Sequence, residues 1–94
     1  MSDIVKKAVE ALNAKIGTFD STAKFVITDE GSIMIDAQGA REGNEEAEVT
    51  MTASRETFQG ILEGNVNPTT AFMTGKLQVD GSMGLAMQLG AALS

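Results

Sequence analysis

The 94-residue sequence predicts an α+β domain, a mostly antiparallel sheet of five strands or fewer covered by helices. Two observations carry that prediction. Stretches of strand-like residues beginning at Ala23, Ser32 and Ala47 follow one another with turn residues, not helices, between them. Helical periodicity then brackets them at both ends, and residues 67–93, NPTTAFMTGKLQVDGSMGLAMQLGAAL, read as short helix, strand and final helix with a glycine at each joint.

Ser2 or Asp3 caps a first helix over residues 3–16, which Gly17 ends. Its apolar side carries Ile4, Val5, Ala8, Val9, Leu12 and Ile16, and its polar side Asp3, Lys6, Lys7, Glu10 and Asn13. Residues 23–28 form a strand that is apolar on both faces through Phe25, Val26 and Ile27. Asp29-Glu30-Gly31 turns the chain into a second strand over 32–37, with Ile33, Ile35 and Ala37 inward and Met34 on the opposite face. Residues 38–46 read as a polar loop. Residues 47–53 alternate, with Val49, Met51 and Ala53 inward and Glu48, Thr50 and Thr52 outward, which suits an antiparallel meander wet on one side.

Ser54 caps a helix over 54–63 that carries Phe58, Ile61 and Leu62 on one stripe and is closed by Gly64. Asn67 and Pro68 open the next, over 68–74, and Gly75 ends it. Leu77 and Val79 alternate with Lys76, Gln78 and Asp80 in a late strand, and Gly81 and Ser82 lead into a helix over 82–93.

That last helix is unusually apolar. Met83, Ala86, Met87 and Gly90 form one stripe, and Leu85, Leu89, Ala92 and Leu93 form its neighbour. Together they span roughly 220°, against the ~100° a surface helix normally buries. No charged residue follows Asp80. Such a helix calls for cover on more than one side, by the domain, by a second subunit or by an apolar ligand.

Composition narrows the functions. A net charge of −6 disfavours nucleic acid and an electrostatic anchor on anionic membranes, leaving at most transient membrane contact. With no Cys, His, Tyr or Trp, the commonest general base and the thiol nucleophile are missing, and G-x-S-x-G is absent too. No catalytic residue, metal site or cofactor is expected, and an enzyme is not. Glu42, Glu45, Glu46 and Glu48 read as a solvated loop, since calcium-loop spacing is missing. The N-terminus has no secretory pattern and no segment reaches the ~20 apolar residues of a spanning helix, so a cytoplasmic protein is expected.

Ala71-Phe72-Met73-x-Gly75-Lys76-Leu77, followed by Gly81-x-Met83-Gly84-Leu85-Ala86-Met87, resembles the C-terminal signature of the sterol carrier protein 2 (SCP-2) family. The resemblance implies a stand-alone SCP-2-like domain over residues 1–94. It also implies an apolar tunnel between sheet and C-terminal helices, for a fatty acid, fatty acyl-coenzyme A, sterol or phospholipid. By position Phe72, Met73, Leu77, Met83, Ala86, Met87 and Gly90 would line it, with Val49, Met51, Phe58 and Leu62 as the opposite wall. The terminal Ala-Leu-Ser does not match the peroxisomal Ser-Lys-Leu pattern. Six methionines suit either an adaptable core or a cavity for varied apolar shapes, and Met34 and Met51 divide evenly between the two. A partner-binding module, as a homodimer or within a lipid-linked biosynthetic complex, is the second reading.

Overall fold

In the computed structural model, which describes residues 3–93, four helices and five strands pack around one layered core among the described residues. Helix α1 (Asp3–Lys15) precedes strands β1 (Ala23–Ile27), β2 (Gly31–Asp36), β3 (Gly39–Glu42) and β4 (Val49–Ala53). Helices α2 (Arg55–Glu63) and α3 (Pro68–Met73), strand β5 (Leu77–Gly81) and helix α4 (Met83–Leu93) complete the order. The expected cap at Ser2 lies outside the described residues. No described helix is long and apolar enough to cross a membrane.

The helix boundaries follow from local hydrogen bonds. The Ser54 hydroxyl accepts from the Thr57 amide at 3.2 Å, and the Asn67 side chain accepts from the Thr69 and Thr70 amides at 2.8 and 3.2 Å. The Ser82 hydroxyl accepts from the Leu85 amide at 3.3 Å. Each satisfies an N–H that a helix start leaves without an intrahelical partner.

The sheet has the order β3-β2-β1-β4-β5. Two features correct the expected antiparallel meander. β1 and β4 pair in parallel, Ala23 opposite Val49 through Ile27 opposite Ala53, while every other pair is antiparallel. The β2–β3 hairpin thus serves as the crossover that lets β4 return beside β1. The loop expected over 38–46 contains β3, joined to β2 by Ala37 and Gln38, and Ala37 is exposed in that turn rather than inward.

β3 is held by polar side chains. The Asn13 side chain accepts from the Ala40 amide at 2.8 Å and donates to the Ala40 carbonyl at 3.1 Å, covering a sheet edge from α1. Arg41 bridges Asp36 at 2.8 Å and Glu45 at 3.1 Å. Arg41's hydrogen bond, then the Gln38 amide, holds the Asp36 carboxyl below the usual carboxylate range. At the other edge Gly81 has a φ of +99°, and a Cβ there would run into the Glu48 carbonyl. That close approach brings the Ser82 amide to the Glu48 carbonyl at 3.0 Å and aims α4 back across the sheet.

Candidate functional site

Strand register makes the inner face of the sheet a continuous apolar floor. Ile33, Phe25, Met51 and Val79 align in one row, and Ile27, Ala53 and Leu77 in the next. α1 packs over the β2–β3 half with α2 beside it, and the Phe58 ring lies 5.4 Å from that of Phe25. α3 and α4 cover the β4–β5 half.

α3 and α4 do not close completely over that half. Between them and the sheet lies a cavity of about 590 Å³, within the ~300–1,000 Å³ typical of small-molecule sites. Met51, Leu77 and Val79 form its floor. Pro68, Thr69, Phe72 and Met73, one turn apart on α3, make one wall, and Met83, Ala86, Met87, Gly90 and Ala91 on α4 make the other. No lining residue is ionisable, and Thr69 contributes the single hydroxyl. Such a lining takes hydrocarbon out of water but offers no cation to a carboxylate or phosphate.

The two stripes of α4 have different surroundings. Leu89 and Leu93 are fully buried against the domain and Leu85 is half-buried, whereas Met83 and Met87 stand exposed at the cavity. Ala86 belongs to both, buried yet bordering the open space. The Lys15 ammonium donates to the Leu93 carbonyl at 3.3 Å and ties the end of α4 to α1.

The structure thus brings Met51, Phe72, Met73, Leu77, Met83, Ala86, Met87 and Gly90 around one space. Val49, Phe58 and Leu62 are not among its walls. Val49 is fully buried, in register with Ala23 and Gly81. Phe58 and Leu62 border a smaller concavity of about 270 Å³ between α1 and α2, with Lys7 and Arg55 at its edge. Met34 is buried on the outer face, where its sulfur meets the Glu45 amide at 3.5 Å beneath the loop after β3. Sequence reasoning passed over Pro68, Thr69, Val79 and Ala91. Val79 shares a strand face with Leu77, and each of the others lies three or four residues from a wall residue on its helix, so the signal was present.

A third concavity, of about 500 Å³, is polar and includes Asp20, Thr22, Asp36, Arg41 and Glu48. Among the described residues no group of carboxylates is placed to hold a metal ion.

The family model described as the SCP-2 sterol transfer family matches residues 2–94. The chain is 37% identical, over 98% of its length, to peroxisomal multifunctional enzyme A of Dictyostelium discoideum, of which it spans 20%. Among the similar solved structures are two of sterol carrier proteins. The sterol carrier protein domain 2 of Helicoverpa armigera has a TM-score of 0.71 and 28% identity, over 95% of this chain and 81% of that one. Sterol carrier protein 2 of Aedes aegypti in complex with palmitate has a TM-score of 0.80 and 20% identity, over 100% of this chain and 97% of that one.

Proposed function

The chain belongs to the SCP-2 sterol transfer family, and we propose that it holds one lipid tail in the α3–α4 cavity without transforming it. The observation that carries this reading is a cavity of about 590 Å³ whose lining has no ionisable group. A sixteen-carbon tail gains roughly 13 kcal/mol gross at ~0.8 kcal/mol per buried methylene. Association costs ~4–15 kcal/mol, and a cost near the lower end, about 5 kcal/mol, leaves the ~8 kcal/mol of micromolar affinity. With a single hydroxyl and no cation in the lining, selection among fatty acid, acyl-coenzyme A, sterol and phospholipid rests on shape and length. The palmitate bound by the Aedes aegypti protein supports a fatty acid within this range.

No group in the lining can act as a nucleophile activated by a base, so the cavity supplies solvation rather than chemistry. One observation favours the partner-binding reading as an alternative. The chain spans about a fifth of the Dictyostelium discoideum enzyme it matches, so such a domain also works as part of a larger protein.

Native mass spectrometry of protein purified without detergent, followed by titration with a fluorescent fatty acid, tests the proposal. The expected result is a monomer carrying a single lipid, with micromolar displacement by unlabelled long-chain acid. A well-folded dimer without lipid, unable to take up the fluorescent acid, would favour the partner-binding reading instead.

A further inference from the structure

We propose that the rim formed by α3 and α4 docks onto a lipid bilayer with uncharged headgroups, so that the cavity mouth opens into the acyl layer. The proposal rests on the reading of that cavity as a lipid site. Among the described residues the large hydrophobic side chains left exposed are Phe72, Met73, Met83 and Met87, at 41%, 78%, 46% and 73%. All four border the same cavity. Exposed hydrophobic side chains scattered singly need no explanation, but a cluster around one opening marks a contact surface.

Charge selects the kind of lipid surface. Residues 64–94 carry one cation, Lys76, and one anion, Asp80, so the whole net charge of −6 lies on residues 1–63. The face around the mouth is neutral, while the body behind it repels anionic headgroups over about a Debye length. A surface of zwitterionic headgroups meets both conditions.

Area and access argue against a protein on this face. The four side chains together expose on the order of 500 Å² at ~200 Å² for each large side chain, so a protein interface of ~800 Å² per partner would have to extend beyond them onto the polar and small residues around the mouth. A second copy seated there would also cover the mouth, whereas a bilayer supplies the ligand through it. Methionine thioethers, flexible and apolar, suit contact with disordered acyl chains.

The chain has no cysteine, so single-cysteine labelling is clean. Ligand-free protein carrying an environment-sensitive dye at Met73→Cys or Met87→Cys, or at Lys6→Cys on α1, is mixed with phosphatidylcholine vesicles and separated by flotation. The expected result is flotation with a blue shift at positions 73 and 87 and none at position 6. Salt should leave it unchanged and added phosphatidylserine should weaken it. An unlabelled Met73→Ser/Met87→Ser protein should partition at least tenfold less.

No flotation, a shift at position 6 instead, strengthening by phosphatidylserine, or self-association that hides the two dyes would each overturn the proposal. The fluorescent fatty acid titration, done without vesicles, reads the cavity separately. Uptake without flotation defeats the docking surface alone. Flotation through positions 73 and 87 without uptake supports the docking surface and defeats the lipid-site reading.

Discussion

Replacing Ala86 with leucine asks whether the space beside α4 is a binding site or slack in the core. Ala86 is buried by its own neighbours yet borders a cavity of about 590 Å³. Leucine adds three carbons, and if they enter the cavity the empty fold gains up to ~2.4 kcal/mol at ~0.8 kcal/mol per buried carbon. Local misfit takes back about 1–3 kcal/mol. The empty protein should therefore melt within a few degrees of wild type.

A ligand loses the same space, so its affinity should fall by ~2.4 kcal/mol, roughly fiftyfold. Ala71→Leu is the matched control, because Ala71 is buried on α3 and does not border the cavity. Without free space beside it, ~2 kcal/mol of overpacking should lower its melting temperature by about 10 °C, at ~4–8 °C per kcal/mol for a domain of this size. Thermal melts of both empty variants, followed by titration with the fluorescent fatty acid, decide the matter. An Ala86→Leu protein that melts as low as the control and binds with wild-type affinity would refute the reasoning, since the position would then be ordinary core.

Three further substitutions probe other features. Met87→Glu places a carboxylate on an exposed position of α4, so the empty fold should change by less than about 0.5 kcal/mol while ligand affinity falls about tenfold through lost apolar contact. Leu89→Glu buries the charge in the core and should unfold the protein by far-UV circular dichroism. The Asp36 carboxyl is held down chiefly by the Arg41 hydrogen bond and next by the Gln38 amide. Its contribution to stability is therefore present above the ordinary carboxylate pKa and is lost as pH falls through the lowered folded value. In Arg41→Gln, an NMR titration should find the Asp36 midpoint moved up towards the ordinary range, and an unmoved midpoint would contradict the pairing.

What the sequence made legible was mostly local. Ser54, Asn67 and Ser82 cap their helices through bonds to amides two or three residues ahead, and nothing distant can hide such a signal. β3 was illegible for the opposite reason. Gly39, Ala40, Arg41 and Glu42 have no β-branched or aromatic residue, and their edge is held by Asn13 on a helix 27 residues earlier. Asn13 looked like one more polar residue on the solvent side of α1. The parallel β1–β4 pair was hidden likewise, since alternation tells which face a residue takes but not which strand lies beside it.

The candidate site divides along the same line. Helical spacing separated the Met83–Gly90 stripe from the Leu85–Leu93 stripe, and the structure places them against different surroundings. Spacing could not tell which half of the sheet each helix covers. Phe58 and Leu62 face the correct layer but lie against α1, with the Phe58 ring on Phe25 of β1, and Val49 is fully buried within the core.

The wide apolar arc of α4 finds its physical account in this division of labour. Ala86, Leu89 and Leu93 are the residues of α4 buried against the domain, while Gly84 and Gly90 cost the helix about 1 kcal/mol each relative to alanine. An 11-residue helix is marginal by itself in water, so α4 depends on its tertiary contacts more than the better covered sheet does. Any tail lying against Met83 and Met87 would add contacts to side chains that the fold itself leaves exposed. Because such a ligand stabilises only the state that binds it, its effect should be concentrated in the opening of α4, the same motion that would let a lipid enter or leave.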